Sequence, residues 1–138
     1  MTTSATAAAI SGLAASTAEL DASASNVANA QSVGALSGSG WGPATAVGAV
    51  QAYQPVAALQ YAAAGGGVAT RFAPVSPATR PAYDPQSPDA DAGGLVAAPN
   101  VDPVQERVNQ IEALNAYKAN VTVLKVSDQM QQSLLAIV

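Results

Sequence analysis

The chain has 138 residues, a formal net charge of −4 and neither cysteine nor histidine. The missing cysteine excludes a disulfide framework and thiolate metal sites. The missing histidine removes Ser-His-Asp and Cys-His chemistry and the commonest transition-metal ligand. Only 10% of residues are charged and Arg71 is the first basic one, so no stretch can hold a phosphate backbone and no nucleic-acid binding is expected.

Alanine and valine dominate the 49% apolar fraction, while one Trp, one Phe, four Tyr and two Met are the scarce large residues. Small side chains bury little area, at about 25 cal/mol per Å2. That composition predicts thin helix-on-helix packing rather than one thick core. Residues 1–30 have neither a positive n-region nor a strongly apolar h-region, so a cleaved signal peptide is not expected. No run of about 18 strongly apolar residues exists, so no transmembrane segment is expected.

In chain order, residues 4–30 read as an amphipathic helix. Ile10, Leu13, Thr17, Leu20, Ala24 and Val27 recur at alternating intervals of 3 and 4, the period of a coiled-coil seam. Such a helix is about 40 Å long. Its stripe is too weak to stand alone in water. Residues 31–46, rich in Gly, Ser and Ala and containing Trp41 and Pro43, read as a loop. Residues 47–80 read as short β-structure, with Val47, Val50, Tyr53, Val56, Leu59 and Tyr61 before Gly65-Gly66-Gly67 and Val68 to Phe72 after it. A hairpin turning at the glycines fits this pattern, and Pro55 and Pro74 place its strands at edges.

Seven prolines punctuate residues 73–103, which read as an extended strap lying along another surface. Residues 103–138 give the clearest helix. Asp102 suits the N-cap, Pro103 the first helical position and Gln105 a capping box, and Glu106 favours the positive end of the dipole. Val104, Val108, Ile111, Leu114, Tyr117, Val121 and Leu124 form one stripe. Val123, Val126, Met130, Leu134 and Ile137 form a second, slightly rotated one. Apolar surface this broad suits a helix that contacts more than one neighbour.

The expected fold is therefore mainly α. Two long terminal helices pack as an antiparallel, coiled-coil-like pair, with a small irregular β-hairpin insert and an extended Pro-rich strap. The expected segments are 1–33, 34–82, 83–102 and 103–138. No catalytic, cofactor or metal site is expected. Asp84, Asp89 and Asp91 read as turn residues capping backbone amides, since a calcium loop would need more carboxylates and a closing Glu. Gly65-Gly66-Gly67 lacks the Lys-Ser/Thr and the following helix of a phosphate loop.

Several segments carry a resemblance. Ile10-Ser11-Gly12-Leu13-Ala14-Ala15 with Ser25-Asn26-Val27-Ala28-Asn29-Ala30 resembles the opening motif of flagellar rod, hook and hook-associated proteins. Tyr83-Asp84-Pro85-Gln86-Ser87-Pro88-Asp89-Ala90-Asp91, Gly94-Leu95-Val96 and Pro99-Asn100-Val101-Asp102 look like the FlgC family of proximal rod proteins. Ala116-Tyr117-Lys118-Ala119-Asn120 is similar to the closing helix of axial proteins. The chain departs from the pattern at Ser25, where an Asn is usual, and in its Gly/Ser-rich residues 34–43.

The resemblance implies a non-enzymatic subunit of a helical tube that transmits torque from motor to hook. Its implied partners are further copies of itself, other rod subunits and the flagellar export apparatus. Its implied location is the periplasmic rod of the basal body, reached by type III export without a cleaved signal. It also implies terminal helices that order on assembly. On this reading the assembly interface comprises Ile10, Leu13, Leu20, Asn26, Val27, Asn29, Val108, Ile111, Leu114, Tyr117, Asn120, Val121 and Leu124. A non-axial adaptor or diverged paralogue that docks on axial or export components is the alternative. A wall-directed enzyme is a third, weakened by the absence of histidine and of a facing carboxylate pair.

Overall fold

A computed structural model describes residues 2–36, 50–64 and 66–137. Trp41, Pro43, Val47 and Gly65, the first glycine of the Gly65-Gly66-Gly67 turn, lie outside the described residues. The element order is α1 (Thr2–Ala28), β1 (Val56–Ala62), β2 (Val68–Pro74), β3 (Thr79–Tyr83), β4 (Leu95–Pro99) and α2 (Pro103–Leu135). The strands form two separate two-stranded sheets, β1 with β2 and β3 with β4. Both terminal helices and a hairpin insert are thus present. The chain divides into two compact units, one of Met1–Ser23, Ala57–Ala73 and Arg107–Val138, the other of Ala24–Val56 and Pro74–Glu106.

The first unit is built on small residues. Ala9, Ala15, Ser16, Ala22 and Ser23 are buried on α1, and Ala113 and Ser127 on α2. The hairpin of β1 and β2 closes through Ala63 N–H to Gly67 O at 3.1 Å and Gly66 N–H to Ala63 O at 3.1 Å. Gly66 and Gly67 have φ of 95° and 91°, which only glycine adopts without strain. The Ser11 hydroxyl anchors this turn to α1: it accepts from Val68 N–H at 3.0 Å and donates to Ala8 O at 2.7 Å.

The second unit has the larger buried side chains. Val96, Pro55 and Pro99 are fully enclosed, with Ala97, Ala98 and Val101 beside them. Here the structure corrects two expectations. The strap expected over 83–102 is not a single extended segment. Tyr83 ends β3, and Leu95–Pro99 returns against it, in the register Thr79↔Pro99, Pro81↔Ala97 and Tyr83↔Leu95. The apolar run Leu95-Val96-Ala97-Ala98 supplies a strand that buries both faces, a pattern the surrounding prolines obscure.

Pro81 is tolerated in β3 for a specific reason. Ala97 spends both its backbone groups on Gly34, donating at 2.8 Å and accepting at 2.9 Å. The Pro81↔Ala97 pair is therefore a non-hydrogen-bonded one, and the missing proline N–H costs the ladder nothing. The second correction concerns Val50 and Tyr53, expected in the first strand. They precede it, and their backbones bond Ala35 N–H and Ser32 O instead.

In the β3–β4 turn two of the three acids, Asp84 and Asp91, cap backbone amides, while Asp89 instead donates its own N–H to Ser87 Oγ at 3.3 Å. Asp91 Oδ1 accepts from Gly93 N–H at 2.8 Å and from Leu95 N–H at 2.9 Å, and Asp84 Oδ1 accepts from Gln86 N–H at 3.3 Å. Among the described residues no group of three acidic side chains is placed to hold a metal ion. Asp102 caps α2, its Oδ1 accepting from Val104 N–H at 2.9 Å. No helix among the described residues is long and apolar enough to cross a membrane.

Gly94 closes the turn at φ 75°, and a Cβ there would stand 2.9 Å from Tyr83 Cε2. Gly94→Ala is expected to destabilise the folded chain by about 1–2 kcal/mol through the left-handed backbone alone. Gly93→Ala, without a positive φ, is expected to cost less. Chemical denaturation of the two variants checks the difference.

Candidate assembly interface

Both terminal helices carry a covered face and an uncovered one, and the division is not the one that side-chain size suggests. On α1 the covered positions Ala9, Ser16 and Ser23 repeat every seven residues, as do Ala15 and Ala22. The stripe of large aliphatics lies rotated away from them. Ile10, Leu20 and Val27 are exposed, Ile10 by 55%, and Leu13 is half-buried. On α2 Ala113 and Ser127 are buried and Glu106, Asn109, Asn120 and Leu124 are half-buried, so its more covered residues are largely polar or small. Val121 is half-buried as well, while Val108, Ile111, Leu114 and Tyr117 are exposed, each at more than 40%. Val123, Val126, Met130 and Leu134 of the second stripe are exposed as well.

One glycine of α1 shows how a small residue makes room for a side chain of α2. A Cβ built on Gly12 would stand 2.6 Å from Asn120 Nδ2 and 2.8 Å from Asn120 Cγ, so that side chain fills the space glycine leaves open. Six residues earlier on α1, the Thr6 hydroxyl meets the Ser127 hydroxyl at 3.0 Å. Asn120 also donates from Nδ2 to Ala116 O of its own helix at 3.0 Å, which fixes its orientation.

In the second unit the last turns of α1 are held by Asn26, which is 2% exposed. Its Nδ2 donates to Val56 O at 2.8 Å and to Glu106 Oε1 at 2.7 Å. Its Oδ1 accepts from Val56 N–H at 3.0 Å and from the Tyr53 hydroxyl at 3.1 Å. A primary amide has two donor hydrogens and two acceptor lone pairs, and all four are used inside the chain. Asn26 therefore has no hydrogen bond left to offer a neighbour, although the sequence placed it among interface residues. Asn29 sits differently: its Nδ2 and its N–H both return to Ser25 O, closing the end of α1.

Sequence reasoning thus found the exposed aliphatics but missed the covered faces. The seven-residue recurrence of Ala9, Ser16 and Ser23 was visible, yet small residues carry little weight in a pattern scored by hydrophobicity. Burial raises the Tyr53 phenol above its ordinary value of 10.0, and the negative Glu106 pushes it the same way. Because the folded-state value is raised, the stability it contributes is fully present below about pH 10 and is lost as pH rises through the raised value. Unfolding midpoints of the natural chain should fall more steeply above pH 10 than those of Tyr53→Phe. Asn26→Ala leaves both polar groups of Val56 without their partner, and at about 1–3 kcal/mol for each unsatisfied group it should cost about 2–6 kcal/mol. Denaturation, with amide exchange at Val56, measures it.

Comparison with known proteins agrees with the earlier resemblance. Residues 92–137 match the family model described as the flagellar basal body rod FlgEFG protein C-terminal region. The flagellar basal-body rod protein FlgC of Salmonella typhimurium is 37% identical over 127 residues, covering 92% of this chain and 90% of that protein. Its Escherichia coli O6:H1 counterpart is 38% identical over 130 residues with the same coverage. The FlgC protein of Bacillus subtilis is 44% identical over 55 residues, or 40% of this chain and 37% of that protein. With identity at this level over nearly its full length, the chain belongs to the FlgC family of structural flagellar basal-body rod proteins.

Proposed function

We propose that this chain polymerises through its terminal helices, with itself and with other rod subunits, into the proximal tube that transmits torque from motor to hook. The observation that carries the reading is the exposed row of large apolar side chains on both helices. Ile10, Leu20 and Val27 on α1 and Val108, Ile111, Leu114 and Tyr117 on α2 remain uncovered while small residues are buried instead. Contiguous apolar surface on a chain with so few charges marks a surface meant for a partner. Burying it between subunits is what a rod would do. The half-buried Leu13, Val121 and Leu124 flank that surface and extend it.

Within one subunit, α1 and α2 pair antiparallel. Two contacts support this: Thr6 meets Ser127, and Gly12 meets Asn120, so residue numbers fall along one helix as they rise along the other. Both Glu106 and Asn26 lie at the opposite ends of the same two helices and bond each other, as an antiparallel arrangement requires. The segments 1–33 and 103–138 act as axial helices. The rod lies in the periplasmic part of the basal body and its subunits arrive through the flagellar export apparatus. Nothing in this role requires catalysis.

Leu20→Asp and Ile111→Asp separate assembly from folding. Both positions are exposed in the single chain, so its stability should change by no more than about 0.5 kcal/mol. A buried unpaired carboxylate between subunits costs several kcal/mol and should abolish motility and incorporation. Quantitative mass spectrometry of purified hook–basal bodies gives the test. Several copies per particle for the natural chain and none for the variants are expected. Absence of the natural chain from the particle would instead favour an adaptor outside the tube.

A further inference from the structure

Two motifs read at opposite ends of the sequence, Ser11-Gly12-Leu13 and Lys118-Ala119-Asn120, meet in one place. We propose that Gly12 and Asn120 form a register key: a knob in a socket that fixes which faces of α1 and α2 the subunit keeps for itself and which it offers outward. The inference rests on the antiparallel pairing above and goes beyond it by assigning the register to a single contact.

Small faces alone specify register poorly. Ala9, Ala15, Ser16, Ala22 and Ser23 present nearly uniform surface, and a shift by one helical turn would bury much the same area. Gly12 breaks that uniformity. It is the glycine of α1, and the socket it leaves is filled by a side chain 2.6 Å from where its Cβ would be. In any slipped register Asn120 would meet a residue with a Cβ. The Asn120 amide cannot simply swing away, because its Nδ2 is tied to Ala116 O. The neighbouring Ser11 adds a second constraint, holding the β1–β2 turn at Val68 on the same turn of α1. With register fixed this way, Ile10, Leu20, Ile111 and Leu114 stand in one defined pattern on the outside. A slip would scramble the surface that neighbours must recognise.

The chain contains no cysteine, so a disulfide can report register without background. The Thr6 and Ser127 hydroxyl oxygens are 3.0 Å apart. In the full-length chain, Thr6→Cys with Ser127→Cys is expected to form an intramolecular disulfide under mild oxidation. Adding Gly12→Leu should lower the yield by about tenfold or more, since overpacking a close contact disfavours the register that brings the two cysteines together. Adding Asn120→Ala to that variant empties the opposing space and should restore most of the yield. Ala14→Leu, on the exposed side of the same helix, should leave it unchanged. A Gly12→Leu chain that still cross-links, a failure of Asn120→Ala to rescue it, or an equal loss with Ala14→Leu would each overturn the key. Failure of the parent cysteine pair to cross-link would overturn the antiparallel pairing itself.

Discussion

The close approach of small side chains is the constraint on which this molecule is built. Alanine and serine bury little area, so a helix made mostly of them gains from contact only when the partner backbone comes near. At Gly12 the space a Cβ would take is filled by the Asn120 side chain. Once the small faces are turned inward, the larger aliphatics have nowhere to go but out. Exposure of Ile10, Leu20, Ile111 and Leu114 is thus a consequence of how the chain packs against itself, and it leaves a surface that a rod can use.

The second unit solves a different problem, which is how to end one helix, begin another and turn two strands with few large residues. It does so with polar groups placed where they are completely satisfied. Asn26 joins the last turns of α1 to Val56, Tyr53 and Glu106, and uses every hydrogen-bonding position it has. Such a group adds modest stability when satisfied but is costly to disturb, which makes it a specifier of geometry more than a source of energy. The apolar part of that unit is small, centred on Val96 with two buried prolines. Prolines stiffen the unfolded chain and so reduce the entropy that folding must overcome.

Family membership and geometry bear on different questions. Identity over nearly the full length places the chain among the FlgC rod proteins. The geometry adds a division of labour between residues that a motif presents together. Within Ser25-Asn26-Val27-Ala28-Asn29, Asn26 faces inward, Val27 is exposed, and Asn29 closes the helix on Ser25 O. A shared motif therefore does not mean a shared role.

The sequence by itself determined the two terminal helices, the hairpin turning at the glycines and the N-cap at Asp102, because each depends on local chemistry: periodicity, φ freedom and a side chain next to free amides. It also determined the family, through motifs at both ends. The pairing of Leu95–Pro99 with β3 was not legible, since it depends on Ala97 turning its backbone to Gly34 and so sparing Pro81 a hydrogen bond. The inward faces of α1 and α2 were not legible either. Hydrophobic periodicity marks the side chains that lose most in water, and it cannot say whether they are covered by the same chain or by another. Only the tertiary structure decided that, by seating Asn120 against Gly12 and leaving the large aliphatics outside.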